Sequence, residues 1–109
     1  MTMNEYQTAA RTTACFPSEG LLSMLYPVLG LAGETGEVAD KIKKVIRRNG
    51  EFTTETKTEI AKELGDVLWY VAILSRELGF DLEELARLNL AKLADRKERD
   101  VVKGEGDNR

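Results

Sequence analysis

Apolar residues recur every three or four positions along most of this chain, the period of an α-helix, and β-branched runs are short and rarely alternate. The spacing predicts a first amphipathic helix over residues 4–14, ending before the Phe16-Pro17-Ser18-Glu19-Gly20 break. A second runs over residues 21–48 with a possible bend at Pro27, which lacks a backbone donor. Asn49-Gly50 then supplies a left-handed stop after a turn rich in Lys and Arg. Thr53 or Thr54 caps a third helix that continues to Leu78, where Gly79 ends it. Asp81 with Glu84 reads as a capping box for a fourth helix over residues 82–99. The domain therefore spans residues 1–99, with a polar tail at 100–109. The expected class is all-α, a four-helix bundle or a paired version of one. Residues 67–74 (VLWYVAIL) are apolar around the whole helical circumference and need cover on every side. A chain this small can hardly provide that alone, so a homodimer or homotetramer is expected.

At about 100° per residue, Val28, Leu31, Ala32, Thr35, Val38, Ala39, Ile42 and Ile46 form the apolar stripe of the second helix. Glu34 and Glu37, spaced i, i+3, leave from one edge of it, beside Gly30, Gly33 and Gly36. Each helical glycine costs roughly 1 kcal/mol relative to alanine. Close approach of another backbone or of a ligand would account for three of them, and so would tight helix packing alone. On the third helix the main stripe is Ile60, Leu64, Val67, Val71, Leu74 and Leu78. Glu63 and Asp66 share a different strip with Tyr70 and Ile73, so they should face protein rather than bulk water. A carboxylate without a partner there would take up a proton or destabilise the fold. Four acids converging from two helices repel unless a cation sits among them, and magnesium, hard and oxygen-liganded, suits them best. A single Glu-x-x-Glu pair is better read as a helix surface salt-bridged to Lys41 or Lys62; two such pairs, in glycine-flanked and apolar settings, make that reading much less attractive.

The fourth helix shows Leu82, Leu85, Ala86 and Leu93 inward, with Asn89 in the same stripe and Lys92 and Arg96 flanking it. An amide and two cations on one side suit a phosphate chain beside a metal cluster. An interhelical hydrogen bond with snorkelling cations is the alternative.

The composition narrows the chemistry. Among 109 residues there is no histidine, which removes imidazole zinc sites, Ser-His-Asp triads and Glu-x-x-His iron sites. The single cysteine, Cys15, cannot pair within the chain and is expected to be a small core residue, in keeping with a cytoplasmic location. A net charge of −3 argues against nucleic-acid binding, although basic residues gather at 41–48 and 92–99. No membrane-spanning run, secretory signal or basic aromatic face is present, so no membrane partner is expected.

The segments LGLAGETGEVADKIKK, with Glu34 and Glu37, and AKELGDVLWYVA, with Glu63 and Asp66, resemble the paired motifs of the MazG-type all-α nucleotide pyrophosphohydrolases. NLAKLADRKER resembles the C-terminal stretch of small single-domain members, and Gly33 stands where longer members often carry another Glu. The resemblance implies that Glu34, Glu37, Glu63 and Asp66 hold Mg2+, with Mn2+ as a possible substitute. It also implies hydrolysis of a (deoxy)nucleoside triphosphate to the monophosphate and pyrophosphate by attack of a positioned water. In that scheme Glu34 and Glu37 are the catalytic acids, Glu37 being the chosen proton acceptor. Asn89, Lys92 and Arg96 bind phosphate or sugar. Trp69, Tyr70, Tyr6 and Tyr26 are the candidate stacking faces, and only one of Trp69 and Tyr70 is expected to line the pocket. A phosphoribosyl-ATP or noncanonical nucleotide is the rival substrate, and a non-catalytic helical interaction module the rival class.

Overall fold

A computed structural model describes residues 1–99; the tail expectation for 100–109 lies outside the described residues. The chain forms α1 (Met3–Arg11), α2 (Leu22–Arg47), α3 (Thr54–Glu77) and α4 (Leu82–Glu98), with no strand among the described residues. The protein is all-α, as the periodicity predicts.

Local signals set the helix ends. Thr53 and Asp81 each accept a hydrogen bond from the third residue on, at 3.2 Å from Thr56 N–H and 2.8 Å from Glu84 N–H. The Glu84 carboxyl lies against that of Asp81, which raises the pKa of Glu84 while the bond from Glu84 N–H lowers that of Asp81. Asn49 (φ 52°) and Gly79 (φ 87°) take the left-handed conformation that stops α2 and α3. The next amides, of Gly50 and Phe80, reach back 3.0 Å to Val45 and 2.9 Å to Ser75.

Two expectations fail at α1. It ends at Arg11, three residues early, because the Thr12 and Thr13 hydroxyls donate to the carbonyls of Ala9 and Ala10 at 2.6 and 2.8 Å. The chain then turns, and Cys15 is exposed rather than in the core. α2 continues through Pro27, which is fully buried.

α2 and α3 pack as an antiparallel hairpin: Gly30 meets Tyr70, Glu34 meets Glu63 and Asp66, and Lys41 meets Glu59. The residues with least exposure on the facing sides are Pro27, Leu31, Glu34, Val38, Lys41 and Val45 against Thr56, Ile60, Glu63, Val67, Tyr70 and Leu74. Their three-and-four spacing is the knobs-into-holes seam of paired helices. This corrects the predicted stripe of α2, since Val28 and Ile46 are exposed. On α3, Leu64 and Leu78 are likewise exposed.

The opposite side of α3 receives α1 and the start of α4. Gln7, buried on α1, donates to the carbonyls of Ala72 (3.0 Å) and Phe80 (3.2 Å) and accepts from Leu82 N–H (3.0 Å). Asn4 accepts from Glu83 N–H at 3.0 Å. One amide thus links three helices while satisfying an otherwise orphaned donor at the α4 N-terminus. Among the described residues α4 meets α1 and α3 but not α2, so one chain does not close a four-helix bundle. No described helix is long and apolar enough to cross a membrane.

Candidate metal centre

Three acids interrupt the apolar interior of the hairpin or border it. Glu34 from α2 and Glu63 and Asp66 from α3 each offer a carboxylate oxygen within 4.8 Å of the others. Glu34 and Glu63 are half-buried in the seam, and Asp66 opens to solvent. Burial first, then the charges of Asp66 and Glu63, a hydrogen bond with Glu63 and the charge of Glu37 push the Glu34 carboxyl above the usual carboxylate range. The three carboxylates therefore repel one another, a repulsion that Lys41, 3.4 Å from Glu63, relieves at that one acid. Its donors are all carboxylate oxygens, without thiolate or imidazole, and this set fits a hard divalent cation.

Glu37 does not join that trio. It is exposed, one turn beyond Glu34, at a groove of about 320 Å³ shared with Asp40, Lys41, Lys44, Arg48 and Glu63. Lys41 crosses the seam there, 3.4 Å from Glu63 and 3.6 Å from Glu59. Asp40 faces its own helix, 2.7 Å from Lys44 and 3.4 Å from Lys43, and the bond from Lys44 is the main cause of its lowered pKa.

An open hollow of about 410 Å³ lies beside the trio, bordered by Glu34, Asp66, Thr13, Trp69 and Tyr70. Trp69 and Tyr70 both line it, contrary to the expectation that only one would. They meet edge to face at 4.9 Å, so neighbouring residues on one helix still border the same space. Trp69 is fixed by its indole N–H, which donates to Ala10 O at 3.1 Å and Thr13 Oγ1 at 2.9 Å. The Tyr70 ring lies on the α2 backbone at Gly30, where a Cβ would fall inside it. Burial first, then the charges of Tyr26, Glu34 and Asp66, raises the Tyr70 pKa. Tyr6 is raised by burial and by Asp66. Tyr26 stacks instead on Phe16, with ring centroids 4.6 Å apart. Of the three glycines of α2, only Gly30 has the close neighbour the sequence argument asks for; Gly33 and Gly36 meet nothing within 4 Å.

The α4 residues lie elsewhere. Asn89 and Lys92 border an apolar groove with Leu68, Val71, Leu82 and Leu85, and neither lines the hollows at the carboxylates. Arg96 is buried, only 3% exposed. Within one chain, then, the structure assembles Glu34, Glu63, Asp66, Trp69 and Tyr70 and leaves the α4 trio apart. Sequence reasoning gave Thr13 no role; its hydroxyl follows a helix end that the apolar period alone placed too late.

Comparison with known proteins places the chain in a family. Residues 23–101 match the model of the MazG nucleotide pyrophosphohydrolase domain, a stretch that contains all four motif acids. The chain is also 43% identical over 114 residues to the Gene 37 protein of Mycobacterium phage L5, with both proteins covered in full. No solved structure matches it. The acidic pair on each hairpin helix and the family match lead to one conclusion: this chain belongs to the MazG nucleotide pyrophosphohydrolase domain family.

Proposed function

We propose that the protein hydrolyses a (deoxy)nucleoside triphosphate to the monophosphate and pyrophosphate, using magnesium held by Glu34, Glu63 and Asp66. The observation that carries this reading is the convergence of three carboxylates from two helices beside an aromatic-walled hollow. Magnesium bound there supplies charge for the triphosphate and makes a neighbouring water a better nucleophile near neutral pH. Glu37, outside the trio but close enough to raise the Glu34 pKa, completes the family's set of four acids and is our choice of proton acceptor. Tyr70 and Trp69 offer faces for the base, and Trp69 is held by its own hydrogen bonds.

A second copy of the chain belongs to this proposal. Leu22, Leu25 and Leu29 are exposed on one face of α2, and Leu90 and Leu93 are exposed on α4. Covering these surfaces would form the homodimer or homotetramer that the sequence calls for. It is also the route by which Asn89 and Lys92 would meet the substrate's phosphates.

Incubation with each canonical nucleoside triphosphate and magnesium, followed by identification of the products, tests the reaction. Monophosphate and pyrophosphate are expected. A diphosphate with orthophosphate would refute the bond assignment, and no turnover on these or on phosphoribosyl-ATP and noncanonical nucleotides would refute the enzyme.

A further inference from the structure

Lys41 is the cation of the hairpin seam. Its ammonium faces two carboxylates one turn apart on α3, Glu63 at 3.4 Å and Glu59 at 3.6 Å. Glu63 belongs to the acidic trio and its side chain is 20% exposed; Glu59 lies outside the trio and is 65% exposed. The neighbouring lysines are engaged elsewhere, Lys43 and Lys44 both on Asp40. A divalent ion on Glu63 and an ammonium on the same carboxylate repel each other across a short distance. The flexible four-carbon stem of lysine allows the ammonium to shift between acceptors while the backbone stays in place.

We propose that Lys41 is the resident counter-ion of this site. It neutralises Glu63 while the trio holds no metal, gives up that contact when a divalent cation binds, and keeps Glu59 as its remaining partner. Lys41 and Glu59 together then set the metal concentration at which the site fills. The inference rests on the metal-centre reading above and assigns to Lys41 and Glu59 a role separate from the carboxylate ligands.

The test is calorimetric titration of magnesium into the full-length protein without nucleotide. Lys41→Gln removes the competitor and should bind magnesium roughly two- to fivefold more tightly, in keeping with a partly exposed ion pair. Its metal-free form should melt below wild type. Lys43→Gln, which removes the same charge from a lysine engaged on Asp40, should leave the affinity unchanged. Glu59→Gln should weaken binding in the wild-type background and have no effect when Lys41 is already Gln. Unchanged affinity in Lys41→Gln overturns the proposal, as does an equal loss on Glu59→Gln with and without Lys41. A wild-type protein that takes up no magnesium overturns the metal-centre reading itself, and the proposal with it.

Discussion

Glu34 is the acid of the trio whose carboxyl is held above the usual carboxylate range. Its raised pKa has a definite consequence for stability: the folded state holds that proton more tightly than the unfolded chain, where the ordinary value is 4.5. The metal-free protein should therefore be most stable, as far as this group decides, below that value, and should lose the contribution as pH rises through the raised folded value. Glu84 acts in the same direction; Asp40 and Asp81, with lowered values, act oppositely and only in more acidic solution. Melting temperatures across pH 4–7 should show a decline that shrinks in Glu34→Gln and that magnesium offsets. An identical slope in the variant would remove Glu34 from the account. Proton and cation compete for the same oxygen, so magnesium affinity should also fall as the solution is acidified through this range.

Gly30 makes a second prediction at this scale. Gly30→Ala would drive a methyl into the Tyr70 ring, forcing it or the helix aside, at a cost of about 1–3 kcal/mol. Urea unfolding measures this, and Tyr70→Ala should relieve most of the added cost in the double variant. At the exposed Gly33 and Gly36, alanine should instead be neutral or stabilising.

Among the helices, Gln7 is the fastening point. Gln7→Leu leaves the buried Leu82 amide without its acceptor, costing about 1–3 kcal/mol. It also strips a donor from the Ala72 carbonyl and from the Phe80 carbonyl, which keeps Ser75 Oγ at 3.0 Å. Unfolding midpoints should drop accordingly, whereas the exposed Thr8→Ala should change them little. Nothing in the sequence pattern marked Gln7, because a polar residue in a short amphipathic helix reads as surface until α3 and α4 are placed around it. The end of α2, both ends of α3 and the start of α4 were legible for the opposite reason: Asn49-Gly50, Thr53, Gly79 and Asp81 act within one turn of themselves. The seam register was only partly legible. α2 bears apolar residues on two faces, so the predicted stripe merged inward Leu31, Val38 and Ile42 with outward Val28 and Ile46. The acids were found because carboxylates at i, i+3 remain neighbours whichever face is inward. Yet the same averaging placed Glu34 at a stripe's edge, when it lies in the seam itself.

For the whole molecule, the exposed leucines are the dominant feature. Leu25 and Leu29 are 50% and 63% exposed in the single chain, and Leu90 is 65% exposed. Sedimentation should find a dimer or tetramer, and Leu25→Glu with Leu29→Glu should shift it toward monomer while sparing the hairpin. A monodisperse wild-type monomer would contradict this. The circumferentially apolar run of α3 gave the same expectation from sequence. Which faces remain uncovered depended on the absence of α4 from α2, a tertiary fact that no local pattern encodes.

The central claim is that acids from α2 and α3 hold one cation between them. Anomalous scattering from manganese-soaked crystals tests it most directly. The account predicts a peak within bonding distance of Glu34, Glu63 and Asp66, lost in Glu63→Gln. A manganese ion bound only elsewhere, with these three carboxylates ligating nothing, would contradict it.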